Sequence, residues 1–241
     1  MSINKLKIGC IIYSRMQSSR FPSKACYKLF GIPLLERVIN QTKLISHNKK
    51  IIIATSKNLS DDKICDIAEK NNISFFRGSH ENVFERTVNI LKEYNFDYFA
   101  RICGDRPLLD PFLYDLGIKQ AIKDKLDLCT SLRPRILPAG LTVEVISGKS
   151  FLSINKDLNG FHKEHITSKY YENPKSFKIN NLEIPKTINW SEFYNYSYTF
   201  DEQKDIDFLE YNIKNLKNIK YGIKYHLELQ KIAKEWNNLN L

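Results

Sequence analysis

Residues 7–24 read KIGCIIYSRMQSSRFPSK, an apolar stretch followed by a small polar loop. The apolar part, residues 8–13, is shorter than the core of a signal peptide, and residues 7–13 are predicted to be a first β-strand. The loop carries three cations within ten residues, Arg15, Arg20 and Lys24. Such cations, together with exposed backbone N–H groups, can surround a triphosphate. On charge alone, an ordinary solvated basic loop is the better interpretation.

Short β-branched runs alternate with helix-period segments through the first 130 residues, which predicts βαβ units in a mostly parallel sheet. Beyond them, we expect an extended segment over residues 177–184 and a last amphipathic helix from Tyr225. A single α/β domain is expected, with a nucleotide-binding half (1–135), an acceptor and dimer-contact part (136–200) and C-terminal helices (201–241). The predicted strands are residues 7–13, 50–55, 74–77, 98–103, 127–131, 142–146 and 197–200, and residues 162–173 are predicted to be one helix.

The composition limits the possible classes of protein. The chain has 241 residues, 42% of them hydrophobic, and five scattered cysteines without a C-x-x-C pair. It can therefore bury a core without disulfides or a zinc site, and we expect reduced thiols and a cytoplasmic protein. No apolar run approaches the ~20 residues that span a membrane. The net charge of +10 favours anionic partners. Polymeric nucleic acid is not expected, although the aromatic stretch 190–200 leaves a base-stacking surface open.

A second informative segment, residues 101–111, reads RICGDRPLLDP. It ends a predicted strand with a Gly-Asp turn and then begins a helix. Ligands of open parallel sheets bind beyond the carboxyl ends of the strands. A carboxylate there, beside a triphosphate, is a natural magnesium ligand, so we expect Asp105 to bind metal. Asp110 precedes Pro111 and is better explained as the cap of that helix.

A third segment, residues 199–205, reads TFDEQKD and places acids at a predicted strand-to-helix junction. From the residues alone, helix capping and interaction with the helix dipole explain these acids. Asp205, in the first turn, is expected to be structural. Asp201 stands at the strand end, where a ligand role is also open.

The order of these segments resembles the cytidylyltransferase family, which includes spore-coat polysaccharide cytidylyltransferases and the synthetases of CMP-activated 3-deoxy-octulosonate and sialic acids. The opening IIYSRMQSSRFPSK is followed by LFGIPLLERVI, and RICGDRPLLDP is similar to the family's R-x-x-G-D-x-P-L-x-D-P. Weaker matches follow in the family's order, and the resemblance covers residues 7–208. These matches are A-T-S at 54–56, R-G-S at 77–79 with Val83 and Arg86, P-x-G-x-x-x-E ending at Glu144, and E-H-x-T at 164–167.

The resemblance implies a Rossmann-like, three-layer α/β/α nucleotidyltransferase fold and a homodimer whose contacts lie after Gly148. It also implies transfer of CMP from CTP to an anionic sugar or sugar-like acceptor, with Mg²⁺ as cofactor. The implied nucleotide-binding residues are Ser14, Arg15, Arg20, Lys24, Thr55, Ser56, Arg77 and Arg101. The implied metal ligands are Asp105 and Asp201, which with Arg15 and Lys24 form the catalytic set. The implied acceptor-side residues are Glu144, Glu164 and His165.

Some alternatives stay open at this point. His165 could act as a general base, although a lone helical His is more often structural or substrate-positioning. Ser14 stands where the family usually has Ala, and Ser23 where Gly usually precedes the lysine. A nucleotide-binding paralogue without turnover would fit those departures. A glycosyltransferase on a similar fold is the nearest enzymatic alternative, but the triphosphate-type loop at 15–24 argues against it.

Overall fold

The computed structural model describes residues 3–18, 20–47, 50–154, 158–216, 218 and 221–239, so Ser19 of the basic loop lies outside the described residues. No helix in these ranges is long and apolar enough to cross a lipid bilayer. The strands are β1 (Ile8–Tyr13), β2 (Lys28–Leu29), β3 (Ile32–Pro33), β4 (Lys50–Ser56), β5 (Ser74–Gly78), β6 (Tyr98–Cys103), β7 (Leu128–Thr130), β8 (Glu144–Ser147) and β9 (Ile179–Asn181). The α-helices are α1 (Leu34–Thr42), α2 (Asp62–Lys70), α3 (Val83–Tyr94), α4 (Pro111–Asp124), α5 (Gly148–Ser153), α6 (Gly160–Glu164), α7 (Ser168–Glu172), α8 (Gln203–Asn215) and α9 (Ile223–Leu239). Short 3-10 helices cover Ile3–Lys5, Lys24–Cys26, Leu59–Asp61, Pro174–Ser176 and Ser191–Phe193.

Seven of the strands form one sheet in the order β5–β4–β1–β6–β8–β7–β9. β1 is parallel to β4 and β6, and β4 is parallel to β5. β8 is antiparallel to both of its neighbours, β6 and β7, whereas β7 and β9 are parallel. The prediction of a mostly parallel, mixed sheet is confirmed. β2 and β3 pair separately as a short hairpin.

The core lies on both faces of this sheet, because successive side chains of a strand point to opposite sides. In β1, Cys10 and Ile12 belong to one hydrophobic cluster and Ile11 to the other. Helices α1, α2, α4, α8 and α9 pack into the first cluster, and α3, α5 and α7 into the second. The sheet is thus covered by a helix layer on each face, which confirms the three-layer α/β/α fold.

The prediction of a strand over residues 197–200 is wrong. This segment makes a single bridge, between Ala139 and Ser197, outside the named strands. Gly140, with φ of +86°, permits this close approach, since a Cβ atom there would lie 2.2 Å from the carbonyl carbon of Tyr198. The backbone N–H of Phe200 then donates to the carbonyl of Asp105 at 2.9 Å. The segment therefore carries residue 201 to the end of β6 without joining the sheet.

The predicted single helix over residues 162–173 is two short helices, α6 and α7. The break lies at His165, whose backbone (φ −99°, ψ 80°) is not helical. Turning the chain there buries Ile166 and Thr167, both β-branched and poorly suited to continue a helix. The turn also leaves Glu164 on the side of the basic loop, where it contacts Arg15.

A buried polar network fixes the C-terminal helix to the start of α4. The carboxylate of Asp110 accepts from the N–H of Phe112, which confirms its capping role, and from the N–H of Gly222. Its second oxygen lies 2.8 Å from Nε2 of His226, and Nδ1 of His226 accepts from the indole N–H of Trp190 at 3.0 Å. Because Nδ1 is an acceptor, the proton of a neutral His226 lies on Nε2 and points at Asp110. Asp110 therefore both caps α4 and accepts a hydrogen bond from His226.

Candidate active site

A cavity of about 240 Å³ lies at the carboxyl ends of β1 and β6, where open α/β sheets bind ligands. The loop after β1, the turn after β6, the start of α3 and one residue of α6 line it. Several residues that sequence reasoning assigned to different segments meet there. These are Ser14, Arg15, Arg20, Lys24, Arg101, Asp105 and Glu164.

Lys24 joins the two carboxylates that were expected to bind metal. Its Nζ lies 2.7 Å from Oδ2 of Asp105, 3.0 Å from Oδ1 of Asp201 and 3.2 Å from the carbonyl oxygen of Phe200. Burial by itself would lower the pKa of Lys24, but attraction to Asp105 and hydrogen bonds to both carboxylates raise it above its usual value. The lysine is therefore a charged bridge between the basic loop, the end of β6 and the segment before α8.

Asp205 positions Asp201 within this cluster. Its carboxylate accepts from the backbone N–H of Asp201 at 2.9 Å and of Glu202 at 2.7 Å, as part of the capping box of α8. The expectation that Asp205 is structural agrees with these contacts. Asp205 therefore acts on the site indirectly, by fixing the backbone of residue 201.

The pair Asp105 and Asp201 fits a divalent cation. Oδ1 of Asp105 is buried and has no hydrogen-bond partner among the described residues. Within the same ranges, no group of three or more His, Cys, Asp or Glu side chains could hold a metal by itself. Magnesium usually needs only one or two protein carboxylates, because substrate phosphates and water complete its shell. The donor set is therefore suited to a cation that arrives with a phosphorylated ligand.

The basic loop has a left-handed backbone conformation at Ser23, the position where the family usually has Gly. Ser23 has φ 61° and ψ 18°, in the left-handed region that glycine adopts freely and serine only at a cost of about 1–2 kcal/mol. Its N–H donates to the carbonyl of Met16 at 2.8 Å, and its own carbonyl accepts from Cys26 at 3.0 Å. These bonds hold the loop in the turn that brings Lys24 to the carboxylates.

The other two cations of the loop also face carboxylates. Arg15 makes a bidentate pair with Glu164, with nitrogen-to-oxygen distances of 2.8 and 3.2 Å. Arg20 is more exposed and lies 3.2 Å from Asp201. Each cation expected to bind phosphate is thus paired with an acid in this structure.

Arg101, in the cavity wall, pairs with the buried Glu144. Nη1 of Arg101 lies 2.6 Å from Oε2 of Glu144, and Oε1 of Glu144 accepts from the hydroxyl of Tyr171 at 2.6 Å. Burial by itself would raise the pKa of Glu144, but attraction to Arg101, the bond from Tyr171 and the charge of Arg106 together hold it below its usual value. Glu144 therefore supports Arg101 and does not line the cavity itself.

Three of the residues expected to bind the nucleotide, Thr55, Ser56 and Arg77, do not line the cavity. The hydroxyls of Thr55 and Ser56 donate to the carboxylate of the buried Asp61, which also accepts from the N–H of Met16 at 2.8 Å. Arg77 donates to the carbonyls of Ser56 and Asn58, and its charge pairs with Asp62. Asp61 thus ties β4 to the basic loop. Sequence reasoning missed this anchor because its position also suits a helix start.

His165 is also outside the cavity. Its side chain is exposed, and its ring lies 4.5 Å from that of Phe161. Arg86 belongs to the match formed by R-G-S at 77–79 with Val83 and Arg86, and no role was predicted for it. In the structure it lines the cavity with Tyr13 and Val83. Arg86 follows Val83 by three residues in α3, so the two side chains lie on the same face of the helix.

Comparisons with known proteins identify the family of this chain. A family model described as cytidylyltransferase matches residues 9–221. The chain is 30% identical over 184 residues to the uncharacterized protein MJ1063 of Methanocaldococcus jannaschii, covering 76% of this chain and 74% of the relative. It is 27% identical to the spore coat polysaccharide biosynthesis protein SpsF of Bacillus subtilis, covering 82% of each. A solved cytidylyltransferase from Leptospira borgpetersenii has the same fold, with a TM-score of 0.87, 24% identity and coverage of 97% and 96%. The chain therefore belongs to the cytidylyltransferase family and is a nucleotidyltransferase.

Proposed function

We propose that this chain is a Mg²⁺-dependent cytidylyltransferase that transfers CMP from CTP to an anionic sugar, sugar phosphate or related acceptor and releases pyrophosphate. The supporting observation is the meeting of Asp105, Asp201 and Lys24 beside a cavity lined by Arg15 and Arg20. The name of the relative in spore coat polysaccharide biosynthesis favours a role in making precursors of surface polysaccharides or glycoconjugates.

The cations of the basic loop would hold the triphosphate. Guanidinium forks grip phosphate oxygens in bidentate fashion, and an ammonium follows charge as it develops. Arg15, Arg20 and Lys24 would each exchange a carboxylate partner for a phosphate oxygen when the nucleotide binds. Asp105 and Asp201 would hold Mg²⁺, which when bound polarises the α-phosphate and neutralises its charge.

In the proposed reaction, an acceptor hydroxyl oxygen forms a bond to the α-phosphorus while the bond from that phosphorus to the pyrophosphate oxygen breaks. The hydroxyl loses its proton to water or a nearby base, and pyrophosphate leaves with the electron pair. Arg15, Arg20 and Lys24 face that developing negative charge. Catalysis is then positioning and electrostatic stabilisation, with no covalent intermediate on the protein.

The acceptor would lie on the side of residues 136–200. Glu164 reaches the cavity directly, Glu144 acts through Arg101, and His165 would need the acceptor to extend over α6. We also propose that the protein works in the cytoplasm. In support, all five cysteines are free thiols and three of them are buried.

We expect CTP to raise the melting temperature more than ATP or GTP does, each with Mg²⁺ present. Binding to the native state stabilises it by mass action, so the shift ranks the affinities. Differential scanning fluorimetry at equal nucleotide concentrations measures it. Equal shifts for the three nucleotides would contradict the cytidylyl assignment.

Pyrophosphate release from CTP in the presence of keto-sugar acids and sugar phosphates tests turnover, and mass spectrometry of the mixture identifies the conjugate. Release with one acceptor class supports the proposal. Tight CTP binding without release from any member of either class would favour a silent nucleotide-binding paralogue.

We further propose a homodimer with contacts after Gly148. Two apolar side chains of this region are exposed, Leu152 at 42% and Phe161 at 57%. Light scattering at micromolar concentration should give twice the 28.3 kDa mass of one chain. Phe161→Asp should shift the mass towards the monomer, whereas the distant Leu59→Asp, also exposed, should not. A monomeric mass for the unmodified chain would refute the dimer.

A further inference from the structure

Glu164 is an acid in the cavity wall that the proposed metal site does not use. In the described part of the chain, the charged residues that line the cavity are the cations Arg15, Arg20, Lys24, Arg86 and Arg101 and the acids Asp105 and Glu164. Asp105 contacts Lys24 and is expected to bind the metal, whereas Glu164 contacts Arg15. A carboxylate that pairs with a phosphate-binding residue weakens the binding of phosphate there. Its presence therefore needs an explanation beyond charge balance.

Glu164 occupies both arms of the Arg15 guanidinium. Nη2 of Arg15 lies 2.8 Å from Oε1 of Glu164, and Nη1 lies 3.2 Å from Oε2. Within the described ranges, the side chain of Arg15 donates to no other group. Both side chains are partly exposed, at 35% and 38%, so the pair can open without leaving a buried charge unpaired. The fork that suits phosphate oxygens is thus filled by the protein's own carboxylate.

The backbone of Glu164 is fixed by contacts within and around α6. The side chain of Asn159 accepts from the N–H of His162 and caps the start of this helix. Nε2 of His162 lies 2.7 Å from Oε1 of Glu172, which joins α6 to α7. α6 also packs against α3, whose first turn lines the cavity. Because the backbone is already ordered, only the rotamers of Glu164 and Arg15 are restricted when the two side chains pair.

We propose that Glu164 competes with the pyrophosphate group for Arg15, and that its return to Arg15 helps to expel pyrophosphate after the transfer. This inference rests on the proposed function, in which Arg15 faces the leaving pyrophosphate. A triphosphate must displace the carboxylate, so its affinity falls in proportion to the fraction of molecules in which the pair is open. The affinity for pyrophosphate falls by the same factor. Product release limits the turnover of many enzymes, and a strongly cationic cavity would otherwise hold pyrophosphate tightly.

Glu164→Gln removes the competing charge and nearly keeps the shape of the side chain. In isothermal titration with Mg²⁺, its affinities for pyrophosphate and for inorganic tripolyphosphate should rise by the same factor, about 3- to 10-fold. Its affinity for CMP, which lacks the β- and γ-phosphates, should stay within about twofold. In steady-state kinetics, the inhibition constant of pyrophosphate should fall by the same factor as the dissociation constant. An unchanged or weaker affinity for pyrophosphate, the result expected if Glu164 only bound the acceptor, would overturn the proposal.

Two further variants separate competition for Arg15 from a general effect of charge. Glu192→Gln removes the same charge at an exposed position outside the cavity and should leave both affinities within about twofold. In an Arg15→Gln background, Glu164→Gln should change the affinity for pyrophosphate by less than about twofold, because the contested group is absent. An undiminished gain in that background would show that Glu164 acts through its charge alone and would overturn the proposal. Melting curves check that each variant is folded, as the partial exposure of the pair leads us to expect.

The proposed function and the competition at Arg15 fail in different ways. If the unmodified protein binds neither CTP nor pyrophosphate, or releases no pyrophosphate with any acceptor, the proposed function fails. If it binds both and turns over, but Glu164→Gln binds pyrophosphate no more tightly, the competition alone is wrong.

Discussion

Replacing Asp105 or Asp201 by Asn should lower the rate of magnesium-dependent pyrophosphate release by on the order of 100-fold or more, which corresponds to about 2.7 kcal/mol of transition-state stabilisation. Either change removes a charged oxygen ligand but nearly preserves the shape of the side chain. Both carboxylates face the same ammonium in the structure, so both serve one site. The double variant should therefore lose much less than the product of the single losses. Steady-state kinetics of the four proteins measure this.

Asp205→Asn is the matched control. Its side-chain oxygen can still accept from the N–H groups of Asp201 and Glu202, so the capping box and the rate should be largely kept. Asp110→Asn is not suitable as a control, because an amide there would set its N–H₂ group against the donor of the buried His226. Near-normal pyrophosphate release by either Asp105→Asn or Asp201→Asn would contradict both the proposed metal site and the proposed mechanism.

Glu144→Gln should destabilise the fold by about 3–5 kcal/mol, because it leaves Arg101, whose side chain is only 20% exposed, without its charged partner. Tyr171→Phe, which removes only the hydroxyl that donates to Glu144, should cost about 1.5–3 kcal/mol. Urea unfolding followed by circular dichroism gives both values. Glu192→Gln, on the surface, is the control and should stay within about 0.5 kcal/mol. An unchanged unfolding midpoint for Glu144→Gln would show that the pair contributes nothing.

The same network predicts a pH dependence. The pKa of Glu144 is lower in the folded protein than its ordinary value of 4.5, so the folded state binds this proton less readily than the unfolded state does. The resulting stability is fully present above pH 4.5 and is lost as the pH falls through the depressed pKa. The difference in unfolding free energy between the unmodified chain and Glu144→Gln should therefore shrink on acidification below pH 4.5.

The sequence predicted the sheet well because strand-forming runs such as residues 51–54 are buried in a parallel sheet and contain no polar residue. The family resemblance also implied that Asp105 and Asp201 lie at one site, and in the structure both contact Lys24. The sequence could not predict which hydrogen-bond partners the side chains at the strand ends have. Thr55 and Ser56 lie at the end of β4, but their hydroxyls donate to the buried carboxylate of Asp61.

Two secondary-structure predictions were wrong, and both for reasons of tertiary packing. Residues 197–200 have the composition of a strand, but the close approach at Gly140 holds them beside a loop. The helical pattern of residues 162–173 is interrupted at His165 because Ile166 and Thr167 are buried there. A charged residue inside a helix, such as Arg86, reads as a solvated position until the structure shows that it faces inward.

The position of Lys24 has a consequence for the order in which ligands arrive. Its ammonium lies between Asp105 and Asp201 and so relieves the repulsion between the two carboxylates. Under the proposed function, it would compete with a divalent ion for the same oxygens. A triphosphate that drew the ammonium towards its own oxygens would leave the carboxylates open, so nucleotide and ion would raise each other's affinity by the same factor. The lysine would thereby make the ion's affinity depend on the presence of the nucleotide.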